Sequence, residues 1–324
     1  WNAANANLKK VSFLYNDDFD VSRAYYDFMQ GNVMSFGMNE QRMELAKQKG
    51  DFQKYAYIGD VGQISSLLWF NLHRQTYANM ADGAAPSRKT DAEKALSCAA
   101  MQNRHFRLAI GHAIDRERNI AQSAGEELAP LSIRNTLTPG TYVKLLEDIT
   151  MDINGTPTTF PKDTWYGAIV QAQLDADGMD IQVWDAEKKT TDGWDAWLNV
   201  EKAKEELRLA VEELKTLGYE VTKETPVIID YPYTEYNEIG KNKAYVMKTN
   251  IENAFDGLVR CDLIPLNNVT EMMNVALNTK CGAEVNTDMG GAGALGSDHG
   301  DPICYMEGLL PHGDGWLTPY LGLW

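Results

Sequence analysis

The residues with the clearest chemical potential lie close together near the end of the chain. Asp298, His299 and Asp301 stand almost side by side, and His312 and Asp314 follow shortly after. Carboxylate and imidazole groups in such a run can ligate a metal, but the spacing fits neither a zinc site nor an EF-hand loop. A loop of turn-forming residues, with Asp298 capping backbone amides, explains the run equally well. Just upstream, Gly291, Gly293 and Gly296 form a G-x-G-x-x-G pattern. In a dinucleotide fold these glycines lead into a helix whose N-terminus holds the pyrophosphate. Here Gly300 and Pro302 would break that helix, and Asp298 would repel the phosphate. The glycines point instead to close approach of the backbone, by packing or by a ligand.

Other catalytic patterns are missing from the sequence. There is no G-x-S-x-G, no H-E-x-x-H and no cysteine in a local protease signature. His73, His105 and His112 stand singly in strand-like or helix-like contexts, as surface or packing histidines do. No cofactor is called for. Aromatic residues cluster at Trp165-Tyr166, at Trp184, at Trp194 with Trp197, and from Tyr231 to Tyr236. Such clusters form either core or the walls of a ligand cleft with polar tips.

The chain has 324 residues, with 30 Lys and Arg against 46 Asp and Glu, a formal charge of −16. That field repels nucleic-acid backbones, and no basic, aromatic-interleaved patch offsets it. The four cysteines, Cys98, Cys261, Cys281 and Cys304, have no metal-site or redox-motif spacing and assign no compartment. No stretch is apolar enough for a membrane-spanning helix.

The elements that would position these residues alternate between the two periodicities. Strands are predicted at residues 10–15, 64–72, 226–232, 261–266 and 284–289. Helices are predicted at 21–30, 39–48, 103–122, 199–217, 237–258 and 269–278. The 103–122 segment is the clearest: Phe106, Ile110 and Ile114 line one face, Asn103 caps it, and Arg107, Asp115, Arg116 and Arg118 are left to solvent. Gly218 suits a left-handed C-cap after 199–217. From residue 226 the order strand, helix, strand, helix, strand predicts an α/β fold with a mixed sheet flanked by helices. Residues 135–194, rich in Pro and Gly, read as an irregular excursion with short hairpins across a lobe surface.

Five stretches, in order, resemble the extracellular solute-binding proteins of the oligopeptide, dipeptide and nickel class, which feed ATP-binding cassette (ABC) importers. They are the opening WNAANANLKKVSF leading to MQGNV, the LWFNL of residues 68–72, NRHFRLAIGHAIDRE at 103–117, the helix and turn at 200–219, and residues 283–302. The last resembles the family's W-x-x-D-Y-x-D-P. Residues 135–194 match poorly.

The resemblance implies a periplasmic-binding-protein-like fold of two α/β lobes that close on a ligand. The whole chain, 1–324, would be the second, ligand-binding lobe, with the first lobe largely absent from it. Asp298 then takes the ligand's α-amino group through a charge-assisted hydrogen bond. Leu295 and His299 stand where the family has Trp and Tyr, so pocket shape and ligand identity can differ. Trp69, Asn71, Trp194 and Trp197 complete the expected pocket. The strand implied at 290–294, nearly free of side chains, would let a peptide backbone lie close and pair with it. The function implied is non-catalytic capture of short peptides outside the cytoplasmic membrane, by a monomeric periplasmic protein or lipid-anchored cell-surface lipoprotein, for delivery to an importer's membrane subunits. Three alternatives remain: another small solute such as a metal chelate or sugar on the same fold, a metal-dependent hydrolase using Asp298, His299 and Asp301, and a surface interaction module.

Overall fold

The computed structural model describes residues 10, 22–59, 62–74, 87–276, 287–296, 303–309 and 321–322. The chain divides into two compact units, Trp1–Ile58 and Gly59–Trp324. The predicted strand at 10–15 lies, but for Lys10, outside the described residues.

The first unit holds helices α1 (Arg23–Met29), α2 (Glu40–Lys49) and α3 (Phe52–Tyr55). Asn39 caps α2 by accepting from the Arg42 N–H, and Gly50 ends it at φ 78°. Met43 and Ala46 are buried, as their spacing predicts. Phe28 meets Phe36 and Tyr55 edge-on, and the Tyr25 hydroxyl donates to Asp51 at 2.6 Å.

The second unit runs β1 (Ser65–Phe70), α4 (Asp91–Gln102), α5 (Arg104–Ala113), α6 (Arg116–Ala124), β2 (Ile149–Ile153), β3 (Thr156–Phe160), α7 (Tyr166–Ala176), α8 (Val200–Thr216), β4 (Val227–Thr234), α9 (Glu238–Ala254), β5 (Val259–Leu266), α10 (Val269–Ala276), β6 (Met289–Leu295) and α11 (Cys304–Glu307). β4 and β5 pair in parallel with α9 between them, and β1 pairs antiparallel with β6. The Asp288 N–H bonds the Asp230 carbonyl, which brings the β6 entrance against β4. The fold is mixed α/β, as predicted. Among the described residues no helix is long and apolar enough to cross a membrane.

One core gathers α4, α5, α8, α9 and the strands around Phe106, Ile110, Leu207, Leu214, Ile229 and Ile251. Side chains alternate across a strand, and β1 uses both faces: Leu68 and Phe70 pack on this core, while Leu67 and Trp69 face Tyr305, Leu137 and Tyr142. Asn103 caps α5 as expected, and Asn199 and Asn237, expected as first residues of their helices, cap α8 and α9. Gly218 adopts φ +88° after α8. At Gly240, in the first turn of α9, a Cβ would lie 2.0 Å from Thr234 Oγ1, so a larger residue there would require the Thr234 side chain to move.

Three expectations are corrected. The segment 103–122 is not one helix: Ile114 is extended (ψ 116°), and the Asp115 carboxylate caps α6 by accepting from the Arg118 N–H at 2.8 Å. Arg116 is not left to solvent, as described below. The last strand does not end at residue 289, as the local pattern predicts, but begins there, and the glycine-rich run is the strand that the family resemblance implied at 290–294. Residues 135–194 contain the β2–β3 hairpin, turned at Asn154 (φ 51°) and Gly155 (φ 79°), and also the 11-residue helix α7, which was not predicted. Helix α4, opened by a Thr90–Glu93 capping box, was also not predicted.

Candidate ligand-binding site

The β1–β6 ladder organises the residues singled out from sequence. Its register pairs Ser65 with Leu295, Trp69 with Gly290 and Phe70 with Met289, with an irregularity between Leu67 and Leu68. Trp69 is 4% exposed. Its indole lies across Gly290, where a Cβ would come within 2.6 Å of Nε1 and 2.8 Å of Cε2. Glycine at this position is therefore a packing requirement. Asn71 is buried just past the strand; its side chain donates to the Thr287 carbonyl at 3.2 Å, and its backbone N–H donates to the Asp288 carbonyl at 2.8 Å. Both residues sit toward the β6 entrance. Six residues of strand span about 20 Å, so Asn71 stands that far from Ser65, the partner of Leu295.

At the Leu295 end the excursion closes against β1. Ser65 Oγ donates to the Leu137 carbonyl at 2.5 Å and accepts from Arg134 Nη1 at 2.7 Å. Arg134 also reaches Asp192 at 3.3 Å and the Gly62 carbonyl at 2.6 Å. The next residue, Asn135, gathers the two tryptophans: its Nδ2 donates to the Trp194 carbonyl at 3.1 Å, and its own carbonyl accepts from Trp197 Nε1 at 3.3 Å. The Trp194 indole donates to the Gln182 carbonyl at 3.2 Å. The structure thus places Trp194 and Trp197 in one bonded network with the Leu295 end of the ladder, while Trp69 and Asn71 stand toward the other end. Asp298 and His299 lie outside the described residues, as do Asp301, His312 and Asp314.

Arg116 holds the excursion to the helices. Its guanidinium donates to Asp195 at 2.9 Å, to the Arg134 carbonyl at 2.8 Å and to Asn135 Oδ1 at 2.6 Å. This explains why Asp and Arg adjoin at 115–116: the first caps α6, and the second fixes the chain that covers β1. His112 is buried, and its Nδ1 pairs with the Trp197 carbonyl at 2.6 Å. His105 pairs with Glu206 at 2.6 Å.

Strand β4 lies beside the other edge of β6. Among the described residues its edge away from β1 carries one backbone bond, from Asp288 to Asp230. Beside it, Tyr231 Oη lies 3.2 Å from where a Gly291 Cβ would be. Burial pushes the Tyr231 hydroxyl up to about 12, so it stays protonated and able to donate. At the entrance, Arg74, Lys89, Asp230 and Asp288 form a buried cluster. Burial alone pushes the Asp288 carboxyl up, but Lys89, Arg74 and the Asp230 N–H outweigh it and hold it below the usual carboxylate value.

A cavity of about 320 Å³ borders this cluster at Asp230, lined also by Ser87, Arg88, Tyr245, Lys248 and Asp262, and includes none of the pocket residues expected from sequence. Among the described residues no three His, Cys, Asp or Glu side chains converge as metal ligands would.

No protein-family model matches the chain. The chain is 24% identical over 324 residues to the oligopeptide-binding protein AmiA of Streptococcus pneumoniae, covering 99% of this chain and 44% of that protein. The oligopeptide-binding protein SarA of Streptococcus gordonii matches with the same identity and coverage. The chain is a homologue of the oligopeptide-binding proteins. It spans less than half the length of the curated relatives it matches. Solved structures similar to this homologue include an oligopeptide ABC transporter substrate-binding domain from Bacillus anthracis, with TM-score 0.46, 12% identity and coverage of 92% of this chain and 41% of that one. Haemophilus influenzae OppA in complex with RPPGFSPFR gives TM-score 0.43, 13% identity, and coverage of 92% and 42%.

In this homologue of the oligopeptide-binding proteins, sequence reasoning missed Arg116, Arg134, Asn135 and the buried charge cluster. Adjacent Asp115 and Arg116 inside an apolar pattern were the one local signal. The partners of the others are distant in sequence: Arg74 and Asp230 are 156 residues apart.

Proposed function

We infer that the chain is the ligand-binding lobe of an extracytoplasmic solute-binding protein that captures short peptides and delivers them to an ABC importer without catalysis. The observation that carries this reading is β6, a strand of mostly glycine and alanine that pairs with β1 along one edge and, among the described residues, is bonded to β4 only at its entrance. An extended peptide adds to such a strand through main-chain hydrogen bonds, which depend little on its side chains. The names of the curated relatives support peptide as the ligand class.

In this reading Asp298, two residues past the end of the ladder region at Gly296, receives the peptide's ammonium. Leu295 and His299 shape the neighbouring wall, the Trp194–Trp197 turn flanks the same end, and Trp69 and Asn71 hold the strand from its other end. A partner lobe, a lipid anchor or periplasmic location, and importer membrane subunits complete the proposed setting, with the protein acting as a monomer. A second reading keeps the fold and changes the ligand to another small solute, favoured by Leu295 and His299 standing where the family has Trp and Tyr.

The test is binding of penta-alanine, with a free or an acetylated N-terminus, to the complete protein and its Asp298→Asn variant. The expected result is binding of the free peptide only, lost in the variant. Equal binding of both peptides, unchanged in the variant, overturns the ammonium assignment. Binding of neither peptide overturns the peptide reading and favours the second.

A further inference from the structure

Strand β6 is poorly equipped to hold its own register. Gly290, Gly291 and Gly293 offer no side chain, and the residues at 292 and 294 are alanine. Gly-rich strands are prone to slip, and a slip of one residue exchanges the two faces. For β6 that would carry Gly290 away from Trp69 and set Met289 or Gly291 under the indole, and Gly291 would fit there as well as Gly290 does. The restraint must come from groups outside the run of small residues.

It is found at the strand entrance. Arg74 just past β1, Lys89 ahead of α4, Asp230 in β4 and Asp288 immediately before β6 bring four charges together, each side chain no more than 3% exposed. Arg74 Nη1 lies 2.6 Å from Asp230 Oδ2 and 2.9 Å from Asp288 Oδ1. Lys89 Nζ lies 3.5 Å from Asp230 Oδ2 and is hydrogen-bonded to Asp288 Oδ2. The Asp288 carboxylate also accepts the Asp230 N–H at 2.7 Å, and the Asp288 main chain bonds Asp230 on one side and Asn71 on the other. Among the described residues two positive and two negative charges cancel.

We propose that this quartet is the register lock of β6, with Asp288 its positioning residue. The proposal rests on the reading of β6 as the peptide-contacting strand. Stability alone does not call for such a cluster, because well-packed apolar groups often replace buried ion pairs without loss. What charge provides is intolerance of the alternative. A one-residue slip turns the Asp288 carboxylate to the opposite face and takes from Arg74 and Lys89 a carboxylate that both contact. The quartet thereby fixes which backbone groups of β6 point away from β1, and so where a bound peptide aligns.

The test uses the complete protein with Lys89→Met and Asp288→Asn combined, which keeps the buried charge balanced through Arg74 and Asp230; Asp288→Asn alone would strand a positive charge and can fail to fold. Hydrogen exchange reports on β6 and on the core helices α5 and α8, and penta-alanine with a free N-terminus reports binding. Asn199→Ala, which removes the α8 cap, is the control for a general loss of stability. In the double variant α5 and α8 keep their protection, β6 amides exchange at least tenfold faster, and the penta-alanine Kd rises at least tenfold. Asn199→Ala leaves that Kd unchanged. Exchange of β6 within twofold of the parent overturns the lock. If the parent protein does not bind penta-alanine, the peptide reading falls, and the exchange measurement alone decides the lock.

Discussion

Gly290→Ala isolates the packing that joins Trp69 to β6. The added methyl would lie 2.6, 2.8 and 2.9 Å from Nε1, Cε2 and Cζ2 of the indole. Optimal non-bonded carbon contacts are about 3.5–4.0 Å, so the ring must retreat by about 1 Å. It has little room, because Trp69 and Tyr305 form a buried cluster flanked by Leu137 and Tyr142. Overpacking of this kind costs about 1–3 kcal/mol. The backbone contributes no strain, since residue 290 is in a regular strand without positive φ. Gly111→Ala is the internal comparison: it lies within α5, a Cβ there meets nothing within 4 Å, and alanine should gain about 0.5–1 kcal/mol. The assay is urea unfolding followed by far-UV circular dichroism, which avoids the tryptophan signal. Placing Gly290→Ala in a Trp69→Phe background should recover about 1 kcal/mol, a coupling expected only of residues in contact. An unfolding midpoint for Gly290→Ala at or above the parent's, or no recovery with Trp69→Phe, would refute the packing of Trp69 over Gly290.

Other outcomes follow from the same geometry. Arg116→Lys keeps the charge but loses the planar fork that reaches Asp195, Asn135 and the Arg134 carbonyl, and should cost about 2 kcal/mol in urea unfolding. Loss of the α8 cap in Asn199→Ala should cost about 1 kcal/mol by the same measurement. The Asp288 carboxyl is held below its unfolded value, so its contribution is present above the ordinary Asp pKa of about 3.9 and is lost as pH falls through the lower folded value. Stability of the parent should therefore fall below about pH 4 more steeply than that of the Lys89→Met/Asp288→Asn variant in acid titrations. The Cys261 thiol is buried and its pKa is pushed far up by desolvation, so it should react with a thiol reagent only after urea unfolds the protein.

The parts of this fold that could be read from sequence are those set locally. Asn103, Asn199 and Asn237 announce helix starts because capping is a contact with the next few residues. The alternation of strand and helix after residue 226 is likewise a local pattern. The break at Ile114–Asp115 was hidden because the apolar spacing runs straight through it, and only the Asp115 cap ends one helix and begins another. The strand at 290–294 was legible only through the family resemblance, because glycine has little strand preference of its own; pairing with β1 and the indole of Trp69 hold it. Trp69 and Asn71 were found as members of the strand region, but sequence could not say that they stand toward the opposite end from Leu295. The charge quartet draws on residues 74, 89, 230 and 288, and no window of sequence contains it.

The central claim is that β6 presents its backbone to short peptides whose ammonium reaches Asp298. Native mass spectrometry of the complete protein, followed by release and sequencing of whatever co-purifies with it, tests this most directly. The predicted result is a mixed set of short peptides with free N-termini, depleted in Asp298→Asn. A single non-peptide species held equally by both proteins would contradict it.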